Sequence, residues 1–158
     1  MMSLELTING ERRALAAHPG DTLLDVLRRE GYVGVKKGCG SGDCGACTVL
    51  LNGRAVNACL VLAARAEGAS ILTIEGLADG DRLHPIQEAF LDEGAVQCGY
   101  CTPGMVLSAY DLLSRNATPS EGEIREAISG NLCRCTGYVK QIRAIQTAAE
   151  RMRSERDE

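Results

Sequence analysis

The chain has 158 residues, 45% of them hydrophobic, but aromatics are only 3% and tryptophan is absent, so any core must be built from Leu, Val, Ile and Ala. A formal charge of −4 leaves no basic face of the kind nucleic acid requires, and no run approaches the ~20 apolar residues of a membrane span. The first residues, Met1 to Thr7, lack the charged-then-apolar pattern of an export signal, which predicts a cytoplasmic chain. Its length suits one ordinary domain or two small ones. Small domains with few aromatics are thinly stabilised and usually need a metal or disulfide staple.

Leu4, Leu6 and Ile8 alternate with Glu5, Thr7 and Asn9, which predicts a half-buried strand. Asn9-Gly10 is a strong hairpin signal, with Glu11 to Ala17 as the return strand. Asp21-Thr22 can cap a helix carrying Leu23, Leu24, Val26 and Leu27 and ending at Gly31. A glycine-dense loop, Gly38 to Gly45, leads to a strand at Thr48 to Leu51, a tight turn at Asn52-Gly53 and a partner strand at Arg54 to Asn57. Ser70 to Ile74 offers one more strand.

Near Gly76 to Arg82 the pattern changes from alternation to helical spacing, and the division is placed at 1–78 and 79–158. His84-Pro85 opens a helix that stops near Gly94. Thr102-Pro103 is read as a cap with proline at the first helical position, the helix running to about Asn116. Thr118-Pro119-Ser120-Glu121 repeats the start signal, with Glu121 expected to complete a capping box. The last helix is expected after Thr136-Gly137, burying Val139, Ile142, Ile145 and Ala149, with Arg151 to Glu158 fraying as a charged tail. The fold class predicted is α+β: two hairpins on one helix, then four helices with short connections.

All eight cysteines fall into two sets. Cys39, Cys44, Cys47 and Cys59 are spaced C-x4-C-x2-C-x11-C, the first three matching the plant-type ferredoxin loop. Glycine around them lets the chain wrap a dianionic [2Fe–2S] cluster and turn backbone N–H groups towards its sulfurs. Cys98, Cys101, Cys133 and Cys135 are spaced C-x2-C-x31-C-x-C, each pair just before a helix start. Helix N-termini would there face the negative cluster from two sides. Two disfavoured readings are disulfides, unsuited to a reducing compartment, and structural zinc, for which four-cysteine sites are common. Cys59, within Ala58-Cys59-Leu60-Val61-Leu62, could alone pass for a buried core thiol.

Three strings, GCGSGDCGACTVLLNG (Gly38 to Gly53), QCGYCTPGM (Gln97 to Met105) and GNLCRCTGY (Gly130 to Tyr138), together resemble the small iron–sulfur subunit of the molybdenum hydroxylases, the xanthine oxidase family. The resemblance extends from the first hairpin to about Arg151. It implies a plant-ferredoxin-like β-grasp domain holding Cys39, Cys44, Cys47 and Cys59, then a four-helix domain holding Cys98, Cys101, Cys133 and Cys135. It also implies an electron-transfer subunit with no catalytic residue of its own. Electrons would pass between molybdopterin, in a dinucleotide form on a large subunit, and FAD on a medium subunit, in a dimer of heterotrimers. Gln97 and Cys135 match the residues that contact the pterin. The overall reaction implied is hydroxylation, with water supplying the oxygen, of a small substrate, often an N-heterocycle or purine. Carbon monoxide dehydrogenase and 4-hydroxybenzoyl-CoA reductase are alternatives within the family, the reductase with electron flow reversed. A free-standing ferredoxin shuttle and a zinc-stapled interaction module are rivals from other classes. Tyr100 and Tyr138 are expected to be packing residues, and His18 and His84 loop or cap residues without chemistry.

Overall fold

The computed structural model describes residues 1–156; Asp157 and Glu158, the end of the tail expected to fray, lie outside the described residues. Strand β1 (Met2–Ile8) pairs antiparallel with β2 (Glu11–Ala17), from Met2 opposite Ala17 to Ile8 opposite Glu11. The Asn9-Gly10 turn has φ of 51° and 85°, the left-handed pair that a two-residue hairpin needs. Helix α1 (Leu23–Arg29) begins at a capping box in which Thr22 and Asp25 exchange hydrogen bonds. Those bonds from Thr22 hold the Asp25 carboxyl below its usual range. Strands β3 (Thr48–Leu51) and β4 (Arg54–Asn57) form the second hairpin.

Strand β5 (Ser70–Leu72) occupies the middle of the sheet, whose order is β2-β1-β5-β3-β4. It runs parallel to β1 and antiparallel to β3, so the sheet is mixed. The strand is shorter than the Ser70 to Ile74 expected. Asn9 takes the Thr73 N–H at 2.9 Å and donates to its hydroxyl at 3.0 Å, and Ile74 then starts a tight 3-10 turn. One buried face of the sheet meets α1 in a core that includes Leu4, Ile8, Leu23, Leu27, Val49 and Ile71. The architecture is a β-grasp.

Among the described residues four helices follow: α2 (Pro85–Asp92), α3 (Thr102–Arg115), α4 (Glu121–Ile128) and α5 (Val139–Ser154). Their core includes Ile86, Phe90, Met105, Leu113, Ile124 and Ile145. His84 caps α2, its Nδ1 accepting the Ile86 N–H at 3.2 Å. Several expected details are corrected. Thr102 is the first residue of α3, not its cap, because the Cys101 carbonyl already accepts the Met105 N–H at 3.1 Å. The box before α4 is Ser120 with Glu123, not Glu121, since the N–H that reaches the Ser120 hydroxyl is three residues on. Val139 is exposed because it lies on the outer face of the first turn of α5. That helix continues to Ser154, where the expected tail was to fray, held at Arg151 by Asp92 at 2.7 Å.

The two halves meet along α3, which lies against β3 and β4. The Asp111 carboxylate of α3, almost wholly buried, accepts the Ala55 N–H at 3.3 Å and lies 3.4 Å from Arg54 and 3.0 Å from Arg115. This seam fixes the position of one cysteine set relative to the other.

Candidate metal centres

The first set is built by the loop between α1 and β3, which carries Cys39, Cys44 and Cys47, and by the tight 3-10 turn Ala58–Leu60 after β4, which carries Cys59. Cys39 is exposed at the tip of the loop, Cys44 is half-buried, and Cys47 and Cys59 are buried beneath. Gly40, Gly42 and Gly45 have φ of 73°, 86° and 69°, values that cost an L-residue side chain about 1 kcal/mol or more each. That path turns three N–H groups, from Ser41, Asp43 and Cys44, towards Cys39 Sγ at 3.4, 3.3 and 3.4 Å. The Ala46 N–H points to Cys44 Sγ at 3.5 Å. A side chain at Gly38 would meet Cys44 Sγ at 2.6 Å. The Ser41 hydroxyl and the Ser41 and Cys44 N–H groups draw the Cys39 thiol down to about 5. The hydroxyl is also drawn to Asp43 at 2.5 Å, so the backbone donors are the fixed ones. Burial, with Cys59 alongside, pushes Cys47 up to about 11.

The second set comes from two distant segments. Cys98 and Cys101 lie on the turn entering α3, and Cys133 and Cys135 on the turn entering α5. Cys98 and Cys135 are exposed, while Cys101 and Cys133 are half-buried. Burial and the facing Cys133 push Cys101 up to about 12. Burial also acts upwards on Cys133, but the Thr136 hydroxyl at 3.1 Å and the Cys135 and Thr136 N–H groups outweigh it and bring the thiol to about 7. Gln97 is exposed and precedes Cys98 in the chain.

Within each set every sulfur has another alongside: Cys39 with Cys44, Cys47 with Cys59, Cys98 with Cys135 and Cys101 with Cys133, while Cys44 also acts on Cys47, Cys98 on Cys101 and Cys133 on Cys135. Among the described residues no three Cys, His, Asp or Glu side chains are grouped as ligands of a single ion would be. A tetrahedral zinc site needs four donors around one point. A two-iron cluster takes two thiolates per iron, and the donor sets fit that group. Cys59 is thus no isolated core thiol; it stands beside Cys47.

Several contacts around the sets were not expected from sequence. Asn131, 4% exposed, donates to the Gly45 carbonyl at 3.1 Å and to Thr48 Oγ1 at 3.2 Å, and accepts from the Ser108 hydroxyl at 2.7 Å. The Leu132 N–H donates to the Cys44 carbonyl at 2.9 Å. Tyr100, expected only to pack, donates its hydroxyl to the Lys37 carbonyl at 2.7 Å, and the Tyr138 hydroxyl accepts the Cys133 N–H at 2.8 Å. A side chain at Gly45 would collide with the Gly130 carbonyl and Asn131, and one at Gly104 with the Gly45 carbonyl. The string GNLCRCTGY, of which Asn131 is the second residue, was the available signal for it, but its partners are remote in sequence.

Fold and sites together define a two-part [2Fe–2S] electron carrier. A 2Fe-2S iron-sulfur cluster binding domain matches residues 6–81, and a [2Fe-2S] binding domain matches residues 73–146. The chain is 49% identical over 151 residues to the nicotinate dehydrogenase small FeS subunit of Eubacterium barkeri, covering 95% of this chain and 96% of the relative. The crystal structure of quinoline 2-oxidoreductase from Pseudomonas putida 86 superposes with a TM-score of 0.93 at 46% identity, covering 97% of this chain and 96% of the matched one. The aldehyde oxidoreductase of Desulfovibrio desulfuricans ATCC 27774 gives a TM-score of 0.94 at 46% identity; 98% of this chain is covered, and it spans 18% of that longer polypeptide. The chain belongs to the small, electron-transferring iron–sulfur subunits of the molybdenum hydroxylase family.

Proposed function

We propose that Cys39, Cys44, Cys47 and Cys59, within residues 1–78, hold one [2Fe–2S] cluster, and that Cys98, Cys101, Cys133 and Cys135, within 79–158, hold the second. When bound, each cluster accepts and releases one electron at a time. The observation that carries the relay is the contact between the two sets. The carbonyl of Cys44 accepts the N–H of Leu132 at 2.9 Å, and Leu132 is bonded to Cys133. A ligand of one set thus reaches a ligand of the other through a few covalent bonds and one hydrogen bond. Asn131 holds the adjoining Gly45 carbonyl, so this junction is fixed on both sides.

The helical half presents exposed Cys98, Cys135 and Gln97, and these suit contact with a molybdopterin cofactor on a large subunit. The glycine loop with exposed Cys39 suits the FAD side, on a medium subunit. The chain then passes electrons from its helical half to its ferredoxin-like half, within a dimer of heterotrimers in the cytoplasm. Among the described residues no helix is long and apolar enough to cross a membrane. Substrate oxidation, with water as the oxygen source, takes place on the large subunit. Nicotinate and quinoline in the names of two relatives support an N-heterocyclic substrate.

Anaerobic reconstitution tests the ligand assignment. The expected result is about four irons per chain and two distinct [2Fe–2S] signals in electron paramagnetic resonance. A colourless protein binding one zinc per four cysteines would overturn it. Copurification with a molybdenum-containing chain checks the assembly; a stable, fully active monomer would favour a shuttle instead.

A further inference from the structure

Around Cys133 lies a chain of side-chain donors that the relay itself does not use. Gln141, in the first turn of α5, is 0% exposed. Its Nε2 donates to the Ala95 carbonyl at 3.3 Å and to Thr136 Oγ1, and stands 3.7 Å from Cys133 Sγ. Thr136 Oγ1 also accepts the Tyr138 N–H at 3.4 Å, and lies 3.1 Å from Cys133 Sγ. With two N–H groups directed at its lone pairs, the Thr136 hydroxyl has its own proton left for the sulfur. A metal-bound cysteine is a thiolate with no proton to give. The direction is therefore set, from Gln141 to Thr136 to Cys133, and successive bonds in such a chain polarise one another.

A second observation separates this chain from ordinary packing. Gln141 Oε1 is buried with no hydrogen-bond partner. Burying an unpaired amide oxygen is unfavourable, and an apolar side chain of similar size would avoid that cost. What Gln141 supplies that leucine would not is its N–H end.

We infer that Thr136, with Gln141 as the positioning residue behind it, raises the reduction potential of the cluster in the helical half by donating a hydrogen bond to the Cys133 sulfur. This rests on the reading of Cys133 as a cluster ligand. Hydrogen bonds to the sulfurs are among the determinants of cluster potential, and donation to a thiolate stabilises the more negative, reduced state. Reduction adds one electron, supplied in the complex by the preceding redox centre and in the test by dithionite, and no bond or proton at Cys133 is exchanged. In the first set the hydroxyl beside Cys39, that of Ser41, donates to the Asp43 carboxylate at 2.5 Å, so the chain of donors there runs away from the sulfur.

Potentiometric titration of the full chain carrying its clusters, followed by electron paramagnetic resonance, tests this. The helical signal is assigned beforehand as the one that Cys133→Ser removes. Thr136→Val should lower the midpoint of that signal by the amount that changes the reduced-to-oxidised ratio about tenfold, about 59 mV for a one-electron couple. Thr136→Ser should return it to the parent value, and Gln141→Leu should move it in the same direction by less. The other signal serves as an internal reference and should hold still. An unchanged midpoint in Thr136→Val, or equal movement of both signals, overturns the inference. If Gln141→Leu fails to fold, the Thr136→Val and Thr136→Ser pair decides. Fewer than two reducible signals in the parent chain would instead defeat the relay itself, a separate failure.

Discussion

The two cysteine sets reach similar chemistry by opposite means. The first takes three cysteines from one loop and Cys59 from the turn after β4, and the N–H donors at Cys39 and Cys44 are backbone groups aimed by glycines in left-handed conformations. The second joins segments more than thirty residues apart, and its supporting donors around Cys133 include the side chains of Thr136 and Gln141. A backbone cradle tolerates exchange of most of its side chains but not of its glycines. A side-chain cradle can be adjusted one residue at a time, and depends on the helix packing that brings its two segments together.

The largest effect expected is the loss of one centre without the other. Cys133→Ser should remove one of the two paramagnetic signals and about half of the iron while leaving the remaining spectrum largely intact. Equal loss of both signals would mean that the seam between the halves makes them one cooperative unit, and the contrast drawn above would fail. Next in size is Gly45→Ala. It places a side chain on a residue at φ 69° and against the Gly130 carbonyl, a combination of backbone strain and overpacking expected to cost about 3 kcal/mol. Urea denaturation would measure that loss. A change below about 1 kcal/mol would show that the loop yields more readily than a close-packed junction should.

Much of this was legible in the sequence because it is local. The two Asn-Gly turns, the Thr22 cap and the four helices all follow from neighbouring residues. What escaped is what depends on distant pairing. Ser70 to Ile74 reads as one more short strand, and nothing near it says that its pairing part lies at the centre of the sheet, parallel to β1. Asn131 is an unremarkable polar residue until it is placed 3.1 Å from the carbonyl of Gly45, 86 positions earlier. Tyr138 was read as packing, since a hydroxyl that accepts a ligand's N–H leaves no trace in spacing. The boundary residues of α3 and α4 shifted by one or two positions because several capping groups compete at each start.

Asn131→Ala sharpens the comparison at the seam. It removes the acceptor of the buried Ser108 hydroxyl and the donor that reaches the Gly45 carbonyl from the helical side, the Thr48 N–H and hydroxyl remaining on that carbonyl, with an expected cost of about 2 kcal/mol. Because the residue touches the glycine loop from the helical side, both centres should be lost at a lower temperature, the two transitions moving together in a thermal melt read by visible absorbance. Movement of one transition alone would show that the halves are held together elsewhere, with Asp111 the next residue to replace.

The smallest effect concerns acid. Helix α1 of the sheet half is capped by Thr22 and Asp25, and helix α2 of the helical half by His84. The Asp25 carboxyl is lowered by its bonds to Thr22, so its contribution is complete above the unfolded carboxyl value of about 4 and is lost only as pH falls further. The His84 imidazole is lowered by burial, a shift that Glu155 and Glu88 partly oppose. Protonation would also remove the Nδ1 lone pair that accepts the Ile86 N–H. A base whose folded value lies below its unfolded one stabilises fully above the unfolded value, about 6.5 for histidine, and loses that share as pH drops through the folded value. Mild acidification should therefore loosen the start of α2 before it touches α1, by less than the roughly 1 kcal/mol of a whole cap. Amide hydrogen exchange at pH 5.5 and 7.5, corrected for intrinsic rates, would resolve the two helices. His84→Asn keeps an accepting side chain at the cap and removes the titration, so α2 should become as insensitive to this range as α1. Persistent sensitivity in that variant would move the acid response away from His84 and with it the claim that the two halves begin their acid loss at different pH.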